Sequence, residues 1–336
     1  MANANIAADK HPIDRPRKSK TVGELWSEML DTGTKTGAWR QSTIDLYSVT
    51  YSSHILDEFG NRALSDITRE DIQQWVNGLC TKTNQSGEKL SPDTVDRIYR
   101  QLRHLFKEAE DYSYIDKSPF IRIKRPSPNS HEMDCLDIEE VEATLEKMDL
   151  RRQTYFSILA FAGLRAGEAL ALKRKNIDFE SREIHVTNSW SAANGFFEPK
   201  TQAAKRRVPM LPILETILRD YCEEERFGSE DFLFRSPRSS DGSPVKNPFR
   251  TYLERALQSS QIRHVNVHSF RHFFASLMVK SGASIVALSK AMGHKDIAVT
   301  LNRYGHMYPR DLLDIVTEAN ELIVAVRREH DERTGE

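Results

Sequence analysis

Six residues in the second half of the chain, Arg165, Lys200, His268, Arg271, His294 and Tyr304, are the types needed to attack a phosphodiester with a side chain instead of water. Two guanidiniums can hold the non-bridging oxygens, where charge grows as a fifth oxygen approaches phosphorus. Lysine and histidine can move protons, and a tyrosine hydroxyl can take the phosphate. A phenol has a pKa near 10, so holding it ionised at neutral pH costs roughly 4 kcal/mol. The site must take that proton during attack or place fixed positive charge beside the oxygen.

Local spacing sharpens this. Gly163 frees the backbone at a turn, Arg165 opens a helix, and Glu168 lies one turn on, where it can orient the guanidinium. In isolation an Arg-x-x-Glu reads first as a surface ion pair. His268 and Arg271 are three apart and share a helix face, with Phe270, Phe273, Phe274, Leu277 and Met278 supplying the core side. Tyr304 follows His294 by ten residues. Competitors exist at three points. Lys205 competes with Lys200, and Tyr308, one turn past Tyr304, competes as nucleophile. His268 and His272 have the spacing of two metal ligands, but Ser269 stands where a metalloprotease motif needs glutamate. No metal and no cofactor is expected.

The elements that must position these groups can be read from periodicity. Residues 1–20 are polar and basic, a flexible arm with Lys10, Arg15, Arg17, Lys18 and Lys20. From Thr21 to Tyr114 the apolar spacing is helical: Leu25, Trp26 and Met29, then Ile44, Tyr47, Tyr51 and Ile55. Thr68 with Asp71 and Ser91 with Pro92 are helix starts. The helix after Ser91 carries Val95, Ile98, Leu102, Leu105 and Phe106 on one side and Arg97, Arg100, Arg103 and Lys107 as a basic flank. The stretch 124–136, rich in proline, serine and basic residues, reads as a linker. Helical pattern resumes at Asp137. Ile177–Phe179, Ile184–Val186 and Arg207–Pro209 read as short strands, and helices return from Leu211.

The chain has 48 basic and 49 acidic residues, a net charge of −1, which is not the strong basicity of many nucleic-acid binders. Phosphate contact is local, however, and Lys124 and Arg125, like Lys205, Arg206 and Arg207, form basic clusters. No apolar run approaches a membrane span, and the first twenty residues lack the apolar core of a secretory signal. Cys80, Cys135 and Cys222 are far apart and fit neither a disulfide framework nor a metal site, as expected of a cytoplasmic protein.

Residues 160–179, AFAGLRAGEALALKRKNIDF, resemble the first arginine box of the tyrosine recombinases, the phage-integrase family. PKTQAAKRRVPML, 199–211, looks like that family's lysine hairpin. HSFRHFFASLMVKSGASIVALSKAMGHKDIAVTLNRYGHM, 268–307, resembles its second arginine box and tyrosine helix without gaps, with Met292 where leucine is usual. The resemblance implies a mainly α fold with a small antiparallel β-sheet. A helical, SAM-like core-binding domain would occupy 21–123, and an α+β catalytic domain with a helical tail 137–336. It implies Tyr304 as nucleophile, His268 taking its proton, Arg165 and Arg271 on the phosphate, His294 hydrogen-bonding it, Lys200 protonating the 5′ oxygen, and Glu168 orienting Arg165. Arg97, Arg100, Arg103, Lys107, Lys124, Arg125, Lys205, Arg206 and Arg207 are the candidate DNA contacts.

The same resemblance implies a site-specific integrase of a phage or mobile element acting on the nucleoid through a 3′-phosphotyrosyl intermediate. The partners would be duplex DNA with core-type sites, three further copies of the chain in a tetramer passing through a Holliday junction, and a directionality factor or DNA-bending host protein. Because so few residues precede Thr21, no arm-site domain is expected. Alternatives are a chromosome-dimer-resolving relative, a type IB topoisomerase, a metal-dependent nuclease using the histidines, and a non-catalytic DNA binder. The amphipathic tail 312–326 would dock on a neighbouring protomer or on its own domain.

Overall fold

The computed structural model describes residues 20–83, 87–127, 135–198, 202–237, 239, 242–245, 249–308, 320–321 and 323–324. Two compact units divide between residues 132 and 133, each with its own apolar core.

The first unit is built from α1 (Val22–Lys35), α2 (Gln41–His54), a short α3 (Leu56–Phe59), α4 (Arg69–Thr81) and α5 (Pro92–Asp111). Thr21 with Glu24 and Thr68 with Asp71 form reciprocal capping boxes, and Ser91 caps α5 with proline at its first position. These residues satisfy amides that the first helical turn cannot. Along α5, Val95, Ile98, Leu102, Leu105 and Phe106 are all buried, each worth about 1.5–3 kcal/mol of transfer free energy. Trp26 stacks on Tyr51 with ring centroids 4.8 Å apart.

Lys124 and Arg125 do not hang in a linker. Phe120 and Ile123 pack against the first core, the Lys124 amide donates to Gln73 Oε1 at 2.8 Å, and Arg125 reaches Asp96. Asp96 also holds Arg100, so two of the expected basic contacts are shared with one buried carboxylate. Arg97, Arg103 and Lys107 are exposed, Lys107 beside Glu110 and Asp111.

In the second unit α6 (Ile138–Glu146) is capped by Asp137 and leads to α7 (Leu150–Ala162), buried from Thr154 to Ala162. Then come α8 (Ala166–Leu170) and strands β1 (Ile177–Asp178), β2 (Glu183–Val186), β3 (Ser189–Ser191), β4 (Gly195–Phe197) and β5 (Arg206–Pro209). Strands β1, β2 and β5 form one antiparallel sheet, in that order, with Ile184 opposite both Ile177 and Val208. Strands β3 and β4 form a separate hairpin, so there are two small sheets where one was expected. Its strands have three residues each and alternate weakly, which hides them from a periodicity reading. The remaining helices are α9 (Pro212–Glu225), α10 (Arg250–Ser259), α11 (Val267–Lys280), α12 (Ile285–Met292) and α13 (Ile297–Tyr304). Helix α7 is the central element, packed against α9 and α11. Among the described residues no helix is long and apolar enough to cross a membrane. Among the described residues the three cysteines form no disulfide, and all are half-buried.

Candidate active site

The site is assembled where α7 and α12 end and α11 runs past both. Helix α7 stops at Gly163, whose φ of +64° suits glycine; a Cβ there would sit 2.2 Å from the Phe274 ring. That turn leaves the Gly163 carbonyl free to accept from Arg271. It also delivers Arg165 as the N-cap of α8, one helical turn from Glu168.

Glu168 is 3% exposed and its two oxygens collect four donors. Oε1 accepts from Arg165 Nη1 at 2.8 Å and Arg206 Nη1 at 3.2 Å. Oε2 accepts from the Arg165 amide and Arg206 Nη2, both at 2.9 Å. The two guanidiniums hold the carboxyl below its ordinary pKa although burial opposes this. Arg165 also donates to the Gly293 carbonyl at 3.0 Å and keeps 39% of its side chain exposed, open to an incoming anion.

Arg206 corrects the expectation that it contacts DNA. Its side chain is 7% exposed, bound to Glu168 through both Nη atoms and to the Ala291 carbonyl through Nε at 2.6 Å. Strand β5 turns this residue inward, and Gly293, with φ +65°, lacks the Cβ that would otherwise lie 2.8 Å from Arg206 Nη1. Lys205 and Arg207, its neighbours in sequence, do face solvent, beside Glu198 and Glu183. Lys200 lies outside the described residues.

On α11, Asn266 caps the helix and Phe270, Phe273 and Phe274 anchor it in the core, which turns His268, Arg271 and His272 toward the site. Arg271 is buried and donates to the carbonyls of Gly163 and Met292, the latter at 2.7 Å, and to His294 Nε2 at 3.1 Å. Burial and the nearby Arg165 lower its pKa to about 9, so it remains a cation at neutral pH. Arginine only donates, so His294 Nε2 must accept; its Nδ1–H then donates to Thr300 Oγ1 at 2.7 Å. Burial, then Arg271, Arg165 and Arg303, push His294 down to about 4, and it is neutral.

Tyr304, at the end of α13, is 0% exposed, its ring clustered with Phe274, Ala275, Val279, Leu288 and Met292. Its hydroxyl stands 2.7 Å from Nδ1 of His272. The expected acceptor was His268, whose ring instead meets that of His272 edge to face, centroids 4.7 Å apart. Both lie on one face of α11, but the later residue is level with Tyr304. Burial raises Tyr304 to about 12 despite Arg271 and Arg303, and lowers His268 to about 4 and His272 to about 3. The proton therefore rests on the phenol. Tyr308 is placed differently: its hydroxyl donates to the Ala283 carbonyl at 3.0 Å. Among the described residues no group of three His, Cys, Asp or Glu could hold a metal.

Arg165 and Arg206 thus share the Glu168 carboxylate, and the buried Arg271 cation lies near it and near the Tyr304 hydroxyl, an arrangement short of negative charge and suited to a phosphate. The structure brings together Arg165, Glu168, Arg271, His294 and Tyr304, with His268 one ring away. Sequence reasoning missed the roles of His272, Arg206, Thr300 and Arg303. The His272 signal is its four-residue step from His268, a spacing that in sequence also suits a pair of metal ligands.

A model described as the phage integrase family matches residues 133–310, and one described as phage integrase, N-terminal SAM-like domain matches 21–80. Similar chains include the ICEBs1 integrase of Bacillus subtilis (strain 168), 25% identical over 81% of this chain and 76% of that one. The transposase from transposon Tn916 of Enterococcus faecalis is 26% identical over 90% and 78%. In fold, the chain resembles the Tn1549 transposon integrase solved with transposon right-end DNA, with a TM-score of 0.72. The two are 22% identical, over 90% of this chain and all of that one.

Proposed function

The chain belongs to the phage integrase family and is a tyrosine recombinase, a site-specific DNA recombinase of the integrase type, and from that premise we propose how its own residues divide the work. Tyr304 is the nucleophile. The observation that carries this reading is its buried hydroxyl near the Arg271 and Arg303 cations, in a site where the single carboxylate of Glu168 is taken up by Arg165 and Arg206. Arg165, from the open side, and Arg271, from the buried side, bind the non-bridging oxygens of a DNA phosphate. His294, held by Arg271 and Thr300, fixes the geometry of that clamp. The Tyr304 oxygen forms its bond to phosphorus while the bond to the 5′ oxygen breaks. Lys200, proposed from sequence, protonates that leaving oxygen. The 3′-phosphotyrosyl ester keeps the bond energy, so attack by another strand's 5′ hydroxyl reverses the step without ATP.

Tyr304 is covered, and a phosphate reaches it only when DNA displaces what covers it. Duplex DNA with core-type sites is the proposed partner, bound by four protomers, with accessory bending or directionality proteins, on the nucleoid. Residues 21–123 act as the core-binding domain and 137–336 as the catalytic domain. Arg97, Arg103 and Lys107, exposed on the first unit, meet phosphates together with Arg100, Lys124 and Arg125, and Lys205 and Arg207 do so on the second unit. Of the tail, Asn320, Glu321, Ile323 and Val324 are described; they are helical and exposed, which fits docking on a neighbouring protomer.

The test uses a nicked duplex from the end of the element that carries the gene. Wild type should form a covalent adduct, indifferent to EDTA, and Tyr304→Phe should form none while binding the duplex as before. Adducts from Tyr304→Phe sink the reading. Relaxation of supercoils lacking any such site favours the topoisomerase alternative.

A further inference from the structure

The geometry points to His272, not His268, as the group that holds the Tyr304 hydroxyl and takes its proton when the phenolic oxygen attacks phosphorus. This rests on the reading of Tyr304 as nucleophile. His272 Nδ1 is 2.7 Å from the hydroxyl, within the range a proton acceptor needs. At rest the phenol donates and Nδ1 accepts, so neutral His272 carries its own hydrogen on Nε2. His272 follows Arg271 directly on α11, so phosphate clamp and proton acceptor ride on one rigid helix. The His268 ring, packed edge-on, fixes the plane of the His272 imidazole and acts as a positioning residue.

The step balances. The Oη–P bond forms as the Oη–H bond breaks, and the proton moves to Nδ1 to give an imidazolium. The P–O5′ bond breaks and the 5′ oxygen takes a proton from the acid on the leaving side. Religation returns the proton from His272 to Tyr304. At rest, burial and then His268, Arg303, Arg271 and His294 all oppose charge on His272. A phosphate bound at Arg165 and Arg271 supplies negative charge that offsets the Arg271 and Arg303 cations, so His272 becomes a competent acceptor only with DNA in place.

His272→Asn separates holding from proton transfer, because Asn Oδ1 takes the place of Nδ1 and accepts the hydrogen bond but not the proton. The measurement is single-turnover adduct formation on the same nicked duplex, from pH 5.5 to 9, with duplex binding followed in parallel. The expected result is unchanged binding and cleavage slower by at least about 100-fold. The wild-type rate should level off by about pH 7, whereas the variant's keeps climbing, about tenfold per pH unit, as hydroxide replaces the side chain. A smaller fall, or an unaltered pH profile, overturns the assignment. If the variant loses its helical circular dichroism, His272→Gln is read by the same criteria. Tyr304→Phe is run alongside: adducts from it remove the nucleophile reading itself, whereas their absence leaves the His272 result to stand alone.

Discussion

Replacing Glu168 with glutamine changes one atom in a carboxylate where four donors converge. Oε1 and Oε2 each receive two of them, from Arg165 and from Arg206. In the amide, one of those positions becomes an NH2 group facing two donors, and Arg206, 7% exposed, loses its only charged partner in the described structure. Removing one member of a buried ion pair costs about 3–5 kcal/mol. Opening of the second unit should therefore become roughly 150- to 4,000-fold more frequent. Peptide-resolved hydrogen exchange reads this unit by unit. Amides of α7 and α11 should exchange faster by that factor in Glu168→Gln, while those of α5 stay as they were. The companion variant, Glu168→Leu with Arg206→Met, removes both buried charges and should recover most of the protection, since apolar replacement of such a pair is often neutral. It should still cleave slowly, because Arg165 has lost the carboxylate that orients it. Exchange in α7 within fivefold of wild type for Glu168→Gln would refute the claim that this carboxylate holds the site together.

His268, His272 and His294 titrate at about 4, 3 and 4 when folded against an ordinary 6.5 when unfolded. Between those values the unfolded chain binds more protons, so stability is full above pH 6.5 and falls as the pH drops toward 4. Urea midpoints of the α11 region that stay level from pH 7 to 4.5 would contradict this. Gly163→Ala combines a left-handed backbone with a Cβ 2.2 Å from Phe274, and should cost at least about 2 kcal/mol. A melting midpoint within one degree of wild type would show that the turn relaxes freely. Arg97→Ala and Arg103→Ala should each lower the salt slope of duplex binding by about one while leaving cleavage of bound DNA intact. An unchanged slope removes them from the interface.

How much was legible beforehand depended on whether a residue's neighbours lie along one helix or across the fold. Arg165 and Glu168 are one turn apart, so their bond follows from spacing alone. The face shared by His268 and Arg271 was equally readable, as were the capped starts at Thr68 and Ser91. Contacts between elements were not. Arg206 sits in a run of three basic residues that reads as one patch. Strand geometry turns the middle one inward and its neighbours outward, and only the partner strand and the α12 turn decide which. His268 and His272 occupy the same face of α11, so sequence offers both to Tyr304; the axial position of α13 selects the second. Burial of Tyr304 was likewise invisible, because it depends on Phe274, Leu288 and Met292 closing around a ring that sequence shows as a lone aromatic.

The most direct measurement is to digest the trapped protein–DNA adduct with protease and nuclease and locate the remaining nucleotide by mass spectrometry. The hydroxyls of Tyr304 and Tyr308 have different partners, His272 and the Ala283 carbonyl, and fragmentation separates the two residues. A 3′-linked nucleotide on the oxygen of Tyr304 is the predicted outcome. A nucleotide on Tyr308, on a histidine, or on no residue at all while strands are still cut, contradicts the account.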